Sequence, residues 1–343
     1  MTESINDMGP YARTLGCTDD VRRRASSAGP APGGALARIV RIDRASALVL
    51  RTDSVESTTR SDPGLAVGDW VWLDEKGEVA NRLERANEVV RVRGDGTPQL
   101  LGVNVDVTLL VVDVRNAHRV GLIERLATVG WDTQAAPHFV VTKCDLASTQ
   151  RRAEIEAAIT LAAPGIDASF VSATANLGRD DLAAALSDGR TGMLIGHSGV
   201  GKSTLLNWLL EDARADVGAV RERDSKGRHT TTARTLYPLP GIGGSVIDTP
   251  GIREIGIASV GALGQLFEDV WDVSAACRFS DCRHTRDAGC ALRDAVERGD
   301  IPVDRYRRFL AYLKELDSGP SQRRDKSVEY SRMAREFRKV RGH

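Results

Sequence analysis

The 343 residues suffice for two or three domains with a substantial core. Hydrophobic residues make up 41% and charged residues 27%, an ordinary composition for a water-soluble chain, and 47 Lys and Arg balance 47 Asp and Glu, so total charge selects no polyanionic partner. No run is apolar enough to cross a bilayer, and the start "MTESINDMGP" has neither the basic nor the apolar region of a secretory signal, so a cytoplasmic protein without membrane contact is expected.

Residues 1–34, ending in "SSAGPAPGG", hold few large apolar groups and are expected to form a flexible tail. From 35 to 102 short β-branched or alternating runs ("ARIVRID", "ALVLRTD", "GDWVWLD", "NEVVRVR") are punctuated by Gly, Pro and Asp, the pattern of a small all-β barrel or sandwich, with an OB-like β-barrel as the working assignment. From 103 to 258 the rhythm changes. "VTLLVVDV" suits a strand buried on both faces, "RVGLIERLATVG" a helix, and the alternation continues through "HFVVTKCD", "ASFVSA", "RDDLAAALSDG", "TGMLIGHSGVGKS" and "TLLNWLLED", which predicts a doubly wound α/β sheet. The remaining 259–343 is helical in pattern ("GALGQLFEDVWDV"), interrupted by a Cys/His cluster and closed by a basic helical tail. From Arg323 to the end, eight basic residues face three acids, which reads either as a solvated helix face or as a contact for phosphate backbones.

Within "GHSGVGKST" the spacing G-x-x-x-x-G-K-[ST] places Gly196, Gly201, Lys202 and Ser203 as a phosphate cradle. Glycines let backbone N–H groups of the loop Gly196, His197, Ser198, Gly199, Val200, Gly201 approach phosphate oxygens, and the helix beginning at Lys202, Ser203 and Thr204 adds the favourable end of its dipole. Lys202 can reach the β and γ phosphates and the Ser203 hydroxyl a Mg²⁺ ion. In "VIDTPG", Asp248 ends a strand where it can hold the Mg²⁺ shell, and the Gly251 N–H can meet the γ-phosphate. The polar "DSKGRHTTTARTL" between them reads as a switch loop, with Thr230, Thr231 or Thr232 completing the metal shell; Thr231 is the working assignment. Ile252 stands where many GTPases carry a glutamine, so another group must orient water, and His229 is the candidate general base.

"TKCD" (Thr142, Lys143, Cys144, Asp145) follows an apolar run, so the Asp145 carboxylate can accept from guanine N1–H and N2–H₂ while the Lys143 stem covers the base. Ser172 and Ala173 end the next strand, with the Ala173 N–H available to guanine O6. Adenine lacks the donor pair, so these residues oppose the rival reading of a P-loop ATPase.

"TKCD", "SA", "GHSGVGKST", "GRHTTT" and "DTPG", in this order, resemble the RsgA family, circularly permuted GTPases of small ribosomal subunit biogenesis. The resemblance covers residues 35 to about 315. It implies a monomeric GTP hydrolase that binds the small ribosomal subunit and its rRNA, assists late maturation and has subunit-stimulated turnover. Thr142 departs from it, because most members carry Asn there.

"CRFSDCRHTRDAGC" offers Cys277, Cys282, His284 and Cys290, with four, one and five residues between successive ligands. Three thiolates and one imidazole make a closed tetrahedral set for one structural Zn²⁺ per chain, as the resemblance also implies. A third reading, a zinc-bearing RNA-binding scaffold with a merely structural nucleotide site, is separated by turnover. Cys17 and Cys144 are expected to be free thiols.

Overall fold

The computed structural model describes residues 10–29, 34–53, 56–92, 98–210, 234–249 and 259–318. Strands β1 (Ala35–Ile42), β2 (Ser46–Arg51), β3 (Glu56–Arg60), β4 (Trp70–Leu73) and β5 (Val79–Arg82) run antiparallel in the order β3-β2-β1-β4-β5. Strand alternation sends Ala37, Ile39, Ala47, Val49, Val71 and Leu73 into a small core of their own. The two ends of this curved sheet meet where Glu78 accepts from the Thr59 hydroxyl and the Arg60 N–H, each at 3.2 Å. A hairpin, β6 (Glu88–Val92) and β7 (Pro98–Val103), follows.

The opposite faces of the barrel strands, with Leu36, Leu48, Leu50, Trp70 and Trp72, belong to the main core of the molecule. Part of their cover comes from residues expected to be a flexible tail. Helices α1 (Pro10–Thr14) and α2 (Asp19–Ala28) bury Ala12, Leu15, Cys17, Val21 and Ala25, and the Trp72 indole N–H donates to the Ala25 carbonyl at 3.2 Å. Composition misled the expectation because the large apolar groups that these helices need are supplied by the barrel, not by the segment itself.

The central sheet holds β8 (Val107–Asp113), β9 (Ala136–Thr142), β10 (Ala168–Phe170), β11 (Thr191–Ile195), β12 (Thr235–Leu239) and β13 (Gly244–Asp248) in the order β10-β9-β8-β11-β13-β12. All neighbours are parallel except β12 and β13. Every residue of β8 and β11 is buried, as their unbroken apolar runs require. Crossovers supply helices α3 (Val120–Asp132), α4 (Thr149–Ala162), α5 (Arg179–Leu186) and α6 (Lys202–Leu209). The barrel is not a separate bead: β1 pairs with β12 at Arg41 and Thr235.

Four further helices close the described chain: α7 (Val260–Leu266), α8 (Glu268–Ser274), α9 (Ala291–Arg298) and α10 (Val303–Ser318). Glu124 of α3 is fully buried and accepts from Arg308 Nε at 2.9 and 3.0 Å and from the Tyr312 hydroxyl at 2.8 Å, both on α10. Among the described residues, no helix is long and apolar enough to cross a membrane.

Arg38 of β1 is 1% exposed. Its guanidinium donates to the carbonyls of Leu15 and Asn104 and to the Thr191 hydroxyl, and lies 5.2 Å from the centre of the Trp70 ring. It thereby joins the amino-terminal helices, the barrel and the central sheet. Gly16, at φ +88°, turns the chain between α1 and α2 where a Cβ would come within 2.5 Å of this guanidinium. Replacing Arg38 by Leu leaves several buried acceptors without a donor, so chemical denaturation should show a loss of about 3 kcal/mol or more of unfolding free energy. A variant within about 1 kcal/mol of wild type would show that the guanidinium is dispensable.

Candidate nucleotide and metal sites

The carboxy ends of β9, β8, β11 and β13 face one side, and the candidate phosphate loop occupies the turn between β11 and α6. Backbone proximity dictates its glycines. A Cβ on Gly196 would meet the Val111 carbonyl at 2.4 Å, and Gly199 and Gly201 take φ of +82° and +104°. Lys202 Nζ donates to the carbonyls of Gly196 at 2.7 Å and His197 at 2.9 Å, so the ammonium is folded across the loop. Burial pushes it below the usual lysine range, against the opposing charge of Asp248. Ser198, Gly199, Ser203 and Thr204 are exposed at this edge. The Thr249 hydroxyl donates to the Leu194 carbonyl at 2.6 Å and ties the end of β13 to the strand that feeds the loop.

Beside the loop lies a cleft of about 300 Å³ whose lining includes Thr142, Lys143, Asp145, Ser172, Ala173 and Thr204. Sequence-distant candidates for base and phosphate recognition thus share one wall-to-wall site. Thr142 donates its hydroxyl to the Val200 carbonyl at 2.6 Å. The side-chain bridge between base segment and phosphate loop is therefore made, by a hydroxyl. Lys143 adopts φ +58° and places Nζ 3.1 Å from the Gly199 carbonyl and 3.6 Å from Asp113 Oδ2. Cys144 is buried under the turn, where desolvation raises its thiol pKa.

Asp113 was absent from the sequence-based site. It ends β8 and is 4% exposed. Burial alone would raise its pKa, but hydrogen bonds and charge from Arg115, with the charge of Lys143, hold it below the usual carboxylate range. The available signal was an acid closing the otherwise apolar run "VTLLVVD". Conversely, His229, Thr230, Thr231, Thr232, Gly251 and the basic tail from Arg323 lie outside the described residues.

In the carboxy-terminal part, the ligand atoms of Cys277, Cys282, His284 and Cys290 all lie within 4.8 Å of one another. His284 Nδ1 is 3.5 Å from Cys277 Sγ and 3.6 Å from Cys290 Sγ, and the two sulfurs are 3.9 Å apart. A tetrahedral ion with metal–sulfur bonds of about 2.3 Å needs edges of about 3.8 Å, so the set fits a metal. The Tyr306 hydroxyl of α10 donates to the His284 carbonyl at 2.6 Å and holds that ligand in its left-handed backbone, φ +58°.

The RsgA GTPase family model matches residues 82–258. The small ribosomal subunit biogenesis GTPase RsgA of Streptomyces coelicolor is 38% identical over 294 residues, covering 81% of this chain and 79% of that protein. The chain belongs to the RsgA GTPase family. Its counterpart in Streptomyces avermitilis, also called small ribosomal subunit biogenesis GTPase RsgA, is 40% identical over 80% of this chain and 78% of its own. The crystal structure of YjeQ from Thermotoga maritima superposes with a TM-score of 0.61 at 24% identity, covering 83% of this chain and 99% of that one. That of YloQ, described as a circularly permuted GTPase, gives 0.59 at 25% identity, covering 83% and 95%. The family explains the chain order: parallel strands bring their loops to one edge whichever strand comes first, so β9 and β10 can precede the phosphate-loop strand.

Thr142→Val keeps the volume of the side chain and removes its hydroxyl. GTP affinity, read by competition with a fluorescent guanine nucleotide, should fall about fivefold, while Thr142→Asn should restore it. Equal affinity in the valine variant would assign the bridge no part in binding.

Proposed function

We propose that this chain is a Mg²⁺-dependent GTPase that binds GTP in the cleft between Asp145 and the phosphate loop and acts on the small ribosomal subunit in the cytoplasm as a monomer. The observation that carries the reading is the joining of base and phosphate candidates in one cleft, with Thr142 hydrogen-bonded to Val200 between them. Asp145 accepts from guanine N1–H and N2–H₂, Ala173 donates to O6, and the Lys143 stem lies over the base, held by Gly199 and Asp113. On phosphate binding, Lys202 exchanges the Gly196 and His197 carbonyls for β and γ oxygens. Ser203, Thr231 and Asp248 would hold Mg²⁺, which would supply neutralisation of the charge that develops on the transferred phosphoryl group. His229 orients the attacking water, and Gly251 donates to the γ-phosphate.

The metal set at Cys277, Cys282, His284 and Cys290 holds Zn²⁺ with no open position, which gives it a structural role. The relatives' names speak of small ribosomal subunit biogenesis. The barrel, the metal module and the basic tail are the surfaces proposed to meet the subunit and its rRNA.

The deciding experiment is GTP turnover with and without purified small subunits. Stimulation is expected. Lys202→Ala should abolish turnover without lowering the unfolding temperature of the nucleotide-free protein, and His229→Ala should cut stimulated turnover about tenfold or more with GTP affinity preserved. Wild-type turnover in Lys202→Ala would defeat the assignment. Metal analysis of freshly purified protein should find one zinc per chain. Chelation should unfold the carboxy-terminal helices while leaving GTP binding largely intact, and a protein without stoichiometric zinc would contradict the metal assignment.

A further inference from the structure

The cleft has two walls that follow different strands of the sheet, β10 and β11. One is the loop 172–178, carrying Ala173 and Thr174; the other is the start of α6, carrying Thr204 and Leu205. The loop is closed on itself, because Ser172 and Leu177 exchange backbone hydrogen bonds at 3.0 Å and the Ser172 hydroxyl accepts from the Ala175 N–H at 3.2 Å. Its base is seated tightly, since a Cβ on Gly178 would meet the Phe170 carbonyl at 2.1 Å. Within the described residues nothing accepts from the Ala173 N–H, which leaves it available at the cleft.

Beside the cleft, one side-chain hydrogen bond joins this loop to α6. Trp208, on α6 and 3% exposed, donates its indole N–H to Asn176 Oδ1 at 2.9 Å. Asn176 sits at the loop's tip in the left-handed region, φ +50°, a conformation that an Asn tolerates better than most side chains. The indole is itself fixed: the Arg179 guanidinium carbon lies 5.6 Å from its ring centre, and Arg179 Nη2 donates to the Leu209 carbonyl at 3.3 Å. The phosphate-loop helix and the loop bearing Ala173 are thus joined by a strut with a rigid indole at one end.

We propose that Trp208 and Asn176 are positioning residues for guanine recognition: their hydrogen bond fixes the distance of the Ala173 N–H from the 6-position of the purine. The inference rests on the reading that Ala173 donates to O6. It separates two parts of base recognition, because Asp145, on the turn after β9, meets the N1–H and 2-amino donors beside O6, whereas the strut acts on the loop that bears Ala173.

Two analogues divide these contacts. 6-Thioguanosine triphosphate keeps N1–H and the 2-amino group and replaces O6 by a larger, weaker acceptor. Inosine triphosphate keeps O6 and loses the 2-amino group. Affinities of the full-length protein for GTP and both analogues would be measured by competition with a fluorescent guanine nucleotide in Mg²⁺. Wild type should prefer GTP over the thio analogue by about tenfold. Trp208→Phe, which keeps an aromatic ring and removes the donor, and Asn176→Gly, which removes the acceptor without backbone strain, should each reduce that ratio about threefold or more. Asn176→Asp keeps an acceptor and should keep the ratio. The preference for GTP over inosine triphosphate should stay at its wild-type value in all three. An unchanged thio ratio in both Trp208→Phe and Asn176→Gly overturns the strut, and so does an equal fall in both ratios, which would mark a general loosening. A wild-type protein indifferent to sulfur at the 6-position would overturn the Ala173 reading itself and the strut with it.

Discussion

Burying one positive charge constrains this fold more than any other single interaction. Desolvation pushes the Arg38 guanidinium down to about 10, and at neutral pH it stays charged, so its donors must be met by protein groups. The partners come from Leu15 at the end of α1, from Asn104 beyond the barrel, and from Thr191. Thr191 opens β11, and its N–H donates to Asp106 at 2.7 Å, just before β8. The amino ends of the strands are thereby set in register, and a strand carries its register along its length at about 3.3 Å per residue. What emerges at the other end of β8 and β11 is Asp113 and the phosphate loop. The nucleotide edge is aligned from the far side of the sheet.

Much of this was readable in the chain because the chemistry concerned is local. Phosphate binding needs a short run of glycines and a lysine, and metal binding needs four soft or borderline donors within a few residues, so both leave contiguous marks such as "GHSGVGKST" and "CRFSDCRHTRDAGC". Strands buried on both faces are likewise legible, as in "VTLLVVD" and "TGMLI". What sequence could not show are pairings between distant segments in which each partner looks ordinary alone. The amino-terminal helices borrow their apolar cover from the barrel. Arg38 reads as one of many arginines in β-prone surroundings. Thr142 reads as a departure from Asn until Val200 is seen opposite its hydroxyl. Trp208 reads as a core residue of an apolar helix, and nothing in "SATANLG" marks Asn176 as its partner.

The carboxy-terminal helices are joined to the GTPase part by the same kind of buried polar contact. Glu124 has no exposure of its own and takes three hydrogen bonds from Arg308 and Tyr312 on one face of α10. Arg125 adds an ion pair with Glu315 at 2.6 Å and sits 5.0 Å over the Tyr312 ring. Two residues before Arg308, Tyr306 reaches back to the carbonyl of His284. One helix therefore touches both the metal loop and α3, so the geometry of the cluster and the seating of α10 are fixed together.

The pairing of β1 with β12 gives the barrel an unusual attachment. β12 is laddered to β13 from Thr235 to Leu239, and at Thr235 it also meets β1. The contact with β1 is a single residue pair at the start of β12. A linker of Gly and Ser would absorb a displacement within its own torsions, whereas here sliding one module past the other means breaking the strand contact at Thr235. Thr235, where the barrel strand meets the central sheet, stands directly opposite Asp248 on β13, so the barrel's attachment point and the end of the Asp248 strand share one register.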